Sequence, residues 1–104
     1  MTCISQDTSY PTLIAVRNYG AYIAKFSVSY TNEGKEKFIE TEYFLAGEER
    51  RLIVPAYSSN IRLKVENMIF ILIWKSVYES QIVPWSDFCL VIGGTTLDPS
   101  AGFC

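Results

Sequence analysis

Histidine is missing from this chain altogether. That removes the commonest general base and the commonest zinc ligand, so imidazole-dependent triads and zinc hydrolase sites are excluded. Cysteine is scarce: three residues, at positions 3, 89 and 104, with none of the short paired spacings of zinc or redox motifs. Positive charge is also short, nine Lys plus Arg against eleven Asp plus Glu for a net −2, the wrong sign for a nucleic-acid binder. No apolar run is long. Met68 to Trp74 is the most apolar and has seven residues, where a membrane-spanning helix needs about 20. A phosphate cradle is lacking too, since Gly93-Gly94 is a lone pair with no long helix after it.

The 104 residues that remain suit one domain over 1–104, with 49% apolar residues to form its core. Seven Tyr, six Phe and recurrent β-branched residues favour sheet over helix. Tyr22, Ala24, Phe26, Val28 and Tyr30 alternate with polar residues over Ala21 to Thr31, the period-two mark of a strand with one wet face. Ile61, Leu63 and Val65 do the same against Arg62, Lys64 and Glu66. Further strands are expected over Thr12 to Asn18, Phe38 to Leu45, Arg51 to Val54 and Phe88 to Ile92, with turns at Asn32 to Lys35 and Ala46 to Glu49. Met68 to Trp74 reads as a buried strand. Through Tyr78 it is either covered on both faces or feeds a short helix over Trp74 to Tyr78. The whole predicts an all-β, two-sheet antiparallel β-sandwich, jelly-roll or immunoglobulin-like, of about seven to eight strands.

Cys89 lies in the apolar run Phe88 to Ile92 and reads as a small core residue. A bond between Cys3 and Cys104 would tie down both ends, but a reducing compartment disfavours it. Met1 to Tyr10 carries no basic and then apolar leader pattern, so synthesis in the cytosol is expected, with the cell surface or exterior reached by a non-classical route. The carboxylates stand on turns or alternate with apolar residues instead of converging, and no metal or cofactor is expected. The chain reads as a binding protein and not an enzyme.

Four turn clusters carry aromatic and hydrogen-bonding residues: Asn18-Tyr19, Tyr57 to Asn60, Trp85-Ser86-Asp87 and Thr95 to Asp98. An aromatic face beside amide and carboxylate groups suits a sugar, which has an apolar ring face and a rim of hydroxyls. The candidate ligand-binding residues are Asn18, Thr96, Leu97 and Asp98, with Tyr19 or Trp74 as stacking partners.

Three stretches, Gly20 to Ser29, Ser59 to Leu63, and Gly94 to Leu97 followed by Pro99, resemble the C-terminal, membrane-recognising β-sandwich of the cholesterol-dependent, thiol-activated cytolysins. The resemblance implies the sandwich, and it implies sterol recognition by a Thr-Leu pair, here Thr96 and Leu97. Neighbouring tip loops would match Asn18-Tyr19 and Ala46-Gly47-Glu48. The family's Cys- and Trp-rich undecapeptide corresponds to Glu66 to Lys75, which has no Cys and one such aromatic, Trp74; that departure argues against sterol insertion. The pore-forming domains are not in this sequence, so recognition without perforation is expected. The whole chain is also similar to the small haemagglutinin lectins of plasmodial slime moulds. That likeness implies binding of cell-surface glycans or glycoproteins and, for agglutination, an oligomer or several sites. The expected function is thus a lectin, with a membrane- or sterol-recognising module in peripheral membrane contact as the alternative.

Overall fold

The computed structural model describes residues 10–71, 73–83 and 87–104. Eight strands follow one another: β1 Thr12–Asn18, β2 Ala24–Asn32, β3 Lys35–Glu40, β4 Glu49–Val54, β5 Ser58–Phe70, β6 Ile73–Ile82, β7 Phe88–Gly94 and β8 Pro99–Phe103. They form two four-stranded sheets, β4-β1-β7-β8 and β3-β2-β5-β6. The expected β-sandwich is present, with no helix among the described residues. One pair departs from antiparallel: β1 runs parallel to β7.

The alternating faces become the core. Phe26, Val28, Ile61, Leu63 and Val65 of one sheet meet Ile14, Val16, Leu90 and Ile92 of the other, all buried. Phe44 crosses between the strands and sets its ring edge-on to Phe26 at 6.3 Å. On one open side of the sandwich Tyr78, Phe88 and Phe103 form an aromatic row, with centroid separations of 6.3 and 5.7 Å. The β2–β3 hairpin turns through Glu33 and Gly34, both at positive φ, which matches the right-handed twist of the flanking strands.

Three expectations change. The strand expected over Phe38 to Leu45 is split. β3 ends at Glu40, Thr41 holds Phe26 by a backbone bond and through its Oγ1, and the chain rejoins β2 only at an Ala24–Phe44 bridge. The second concerns Met68 to Trp74, which is neither a buried strand nor the lead into a helix. The β2–β5 ladder ends at the Ala24–Asn67 pair, with one last bond from the Met68 N–H to the Ile23 carbonyl at 2.9 Å, and beyond it Phe70 pairs with Ile73 of β6. The apolar run therefore forms the end of a hairpin that outruns its sheet: Met68, Ile69 and Trp74 at its base are half-buried, and Phe70, Ile71 and Ile73 at its tip are exposed. Periodicity reports which side chains share a face, not whether anything lies on that face.

The third concerns sulfur. Cys89 is bonded to Cys104, with Cα atoms 5.3 Å apart. The β7–β8 register explains it: Leu90 faces Phe103, so the next pair outward is Cys89 and Cys104, and the Cys104 N–H also donates to the Cys89 carbonyl at 3.1 Å. Cys104 is thus unavailable to Cys3, which lies outside the described residues. The bond closes a 15-residue separation, for which loop-closure entropy gives about 3 kcal/mol. Cys104→Ser should therefore lower the unfolding free energy by about 3 kcal/mol in a urea titration, and a reductant should do the same to the parent protein and nothing to the variant.

Candidate functional site

The β1–β2, β3–β4, β5–β6 and β7–β8 connections gather at one end of the sandwich, and a buried side chain holds two of them. Asn18, the last residue of β1, donates from Nδ2 to the Tyr22 carbonyl at 2.9 Å and, more weakly, to that of Phe44 at 3.5 Å. Its Oδ1 accepts from the Gly20 N–H at 2.8 Å. Its backbone bonds to Gly47 and Glu48, and the following Tyr19 N–H donates to Ile92. Asn18 is fully buried with its amide engaged on both sides, so it shapes the loops instead of facing a ligand.

The β7–β8 loop is built with equal economy. Gly94 sits at a φ of +82°, and a Cβ there would stand 2.3 Å from the Asp98 carbonyl, so only glycine lets the loop close. Thr95 and Asp98 then exchange two backbone hydrogen bonds of 3.1 Å. Thr96 Oγ1 reaches the Ala21 carbonyl at 3.4 Å, and Tyr22 donates its hydroxyl to the Gly93 carbonyl at 2.6 Å. Burial pushes the Tyr22 phenol pKa up. With its polar neighbours so engaged, Leu97 points outward, 84% exposed.

Asn67, unremarked in the sequence, ties this loop to the β5–β6 hairpin. It is fully buried, donates to the Thr96 carbonyl at 3.1 Å, and its Oδ1 has no hydrogen-bond partner among the described residues. Above it the tip carries Phe70 and Ile71, 68% and 75% exposed, and the exposed Ile73. None of the three was singled out from sequence. The signal that could have found them is a fully apolar run between two alternating strands, with room for a turn inside it.

The other candidates divide. Trp74 is half-buried, with the Tyr43 ring 5.0 Å away and Lys25 Nζ 4.5 Å from its centroid, so neighbours already occupy the ring it would offer to a sugar. Tyr19 and Asp98 are exposed, and Tyr19 borders a hollow of about 290 Å³ with Arg17, Gly47, Glu48 and Glu49. Tyr57 to Asn60 lie at the opposite end, where Asn32 bonds Ala56 and Ser58, and Trp85-Ser86 fall outside the described residues. Glu49 bridges Arg17 and Arg51 at 2.5 Å each. Hydrogen bonds from Arg17 and then Arg51 hold its carboxyl below the usual carboxylate value. Its contribution is therefore present above that usual value and is lost as pH falls through Glu49's own. In so exposed a setting the pair orients β4 more than it stabilises it. Among the described residues no three acidic or cysteine side chains gather as a metal site.

Residues 13–100 match the family described as the thiol-activated cytolysin beta sandwich domain. None of the curated proteins matches. Among solved structures, listeriolysin O shares the fold at a TM-score of 0.68 and 20% identity, over 90% of this chain and 22% of that one. Suilysin from Streptococcus suis does so at 0.68 and 17%, over 88% and 22%. A structure described as the membrane-binding domain of pneumolysin aligns at 0.68 and 19%, over 88% of this chain and 94% of that chain. The chain thus spans about a fifth of the two whole toxins and nearly all of the isolated domain.

Frame and exposed residues should separate cleanly in stability. Asn18→Ala strips several buried groups of their partners and should cost about 2–3 kcal/mol, whereas Leu97→Ala should stay within about 0.5 kcal/mol of the parent. Urea unfolding of the two variants side by side measures both.

Proposed function

The chain belongs to the thiol-activated cytolysin β-sandwich domain family, and from that premise we propose that it is a non-catalytic module that recognises a membrane surface through its loop-bearing tip. The observation that carries this reading is the solvent-exposed apolar set Phe70, Ile71, Ile73 and Leu97, borne on a hairpin that outruns its sheet and on the adjoining loop. Moving such a side chain out of water gains ~1.5–3 kcal/mol, so a tip that exposes several of them favours an apolar phase. Behind the tip, Trp74, Tyr43 and Lys25 combine ring faces with polar ends, the kind of side chain that suits a headgroup layer. The neighbour described as a membrane-binding domain supports the same reading.

Thr96 and Leu97 stand where the family's sterol-recognising pair is expected, while Glu66 to Lys75, where the resemblance puts the family's undecapeptide, has no Cys, one Trp at position 74, and Phe and Ile at its tip. Sterol dependence is therefore proposed to rest on the Thr96-Leu97 loop, and depth of contact on the hairpin. A second reading, the haemagglutinin-like lectin, draws support at this end from the hollow beside Tyr19; occupation of Trp74 and burial of Asn18 weaken it. The Cys89–Cys104 bond supports residence in an oxidising compartment outside the cytosol.

Flotation with glycan-free vesicles, with and without sterol, tests the proposal. The parent should float with vesicles, Phe70→Ser and Ile71→Ser should each weaken partitioning by about tenfold or more, and Leu97→Ala should reduce the difference that sterol makes. A protein that stays in the soluble fraction with every vesicle composition contradicts it.

A further inference from the structure

The outer face of the β3-β2-β5-β6 sheet carries a second feature, remote from the tip connections. Two rows of side chains cross all four strands there. Phe38, Ser29, Arg62 and Gln81 form one, and Glu40, Ser27, Lys64 and Glu79 the other, as the strand registers require. Strands lie ~4.8 Å apart, so two short serines on β2 separate the long side chains of β3 from those of β5 by ~10 Å. The result is a groove along β2 of about 170 Å³, floored by Ser27 and Ser29, with Phe38 on one wall and Arg62, Lys64 and Glu79 on the other.

Two of its residues are unspent. Phe38 is 64% exposed and makes no ring contact among the described residues, and it is the one apolar side chain on the outward-facing side of β3, whose other apolar residue, Ile39, packs on the core. Arg62 has neither ion pair nor hydrogen-bond partner among the described residues, whereas Arg17, Arg50 and Arg51 are each paired with a glutamate. Lys64 faces Glu79 at 3.9 Å and Glu66 at 4.0 Å, both loosely, so Lys64 can still donate and Glu79 still accept elsewhere. A free guanidinium recognises a planar or tetrahedral anion. An exposed ring takes the apolar face of a sugar. A serine floor offers hydroxyl-to-hydroxyl hydrogen bonds and leaves space for a ring. A lipid chain would find too many polar groups, and a polyanionic strand would run onto Glu40 and Glu79, whereas a single anionic group on Arg62 lies in the row of Phe38, Ser29 and Gln81, which has no acid.

We propose that this groove is a binding site for an anionic saccharide, its ring laid against Phe38 and its carboxylate or sulfate on Arg62. The site lies on the flank of the sandwich and not on its tip, so a molecule seated tip-down on a membrane presents it to the glycans that stand above the lipid. Weak sugar contact and lipid contact then reinforce each other through effective concentration.

Titration of the ¹⁵N-labelled full chain with 3′-sialyllactose, 6-sulfated lactose, lactose and sodium sulfate tests the proposal without any lipid. Either acidic sugar should shift the amides of Ser27, Ser29, Phe38 and Arg62, and lactose and sulfate alone should bind at least about tenfold more weakly. Arg62→Ala and Phe38→Ala should each cost about tenfold or more in affinity, with spectra otherwise like the parent's, and Leu97→Ala should bind as the parent does. The proposal is overturned if neither acidic sugar shifts these amides, if lactose or free sulfate binds as well as they do, or if both groove variants bind like the parent. The vesicle experiment contains no glycan and this one no lipid, so the two readings fail independently.

Discussion

The loop-bearing end of this protein depends on partnering buried polar groups where the strands stop. β1 ends at Asn18, which is fully buried, and the strand-end carbonyls and N–H groups around it must find partners there or cost stability. One amide side chain meets the need for the β1–β2 and β3–β4 loops. Asn67 makes the corresponding link between the β5–β6 hairpin and the β7–β8 loop. The Asn18 amide, the Asn67 Nδ2 and the Tyr22 hydroxyl hold the loops in place, and Leu97 is left pointing at solvent. A stiff frame holding an apolar payload is what a docking surface requires, since contacts that must first be ordered bind less well.

Much of the fold was legible in the sequence because strands alternate. The inward residues of β2 and β5 are the ones that Tyr22 to Tyr30 and Ile61 to Val65 marked, and Gly34 has the positive φ its turn needed. Alternation failed where its premise failed. Met68 to Trp74 is apolar on both sides, a pattern that covered strands share with a projecting tip, and only the end of β2 pairing at Ala24 tells the two apart. The Cys89–Cys104 bond depends on the β7–β8 register, which composition does not encode.

The structure brings the candidate residues to one place but gives several of them framework roles. Asn18, Tyr19, Trp74, Thr96, Leu97 and Asp98 do come to one end of the sandwich, yet Asn18 serves the frame and Trp74 packs beneath Tyr43 and Lys25. Polar residues in turns look alike in sequence whether they bind a ligand or close a loop, because both tasks use the same donors and acceptors. Phe38 and Arg62 escaped notice for the opposite reason. Each occupies an ordinary outward position on a strand, and their relation appears only when the β2 register places the short Ser29 between them.

The central claim is that the apolar hairpin tip, and not the opposite end, meets the membrane. An environment-sensitive dye attached at Ile71→Cys, or for comparison at Tyr57→Cys, both in a Cys3→Ser background, reports this directly. The dye at 71 should brighten and shift to the blue when vesicles are added while the dye at 57 stays unchanged. An unchanged signal at 71, or an equal change at both positions, would contradict the account.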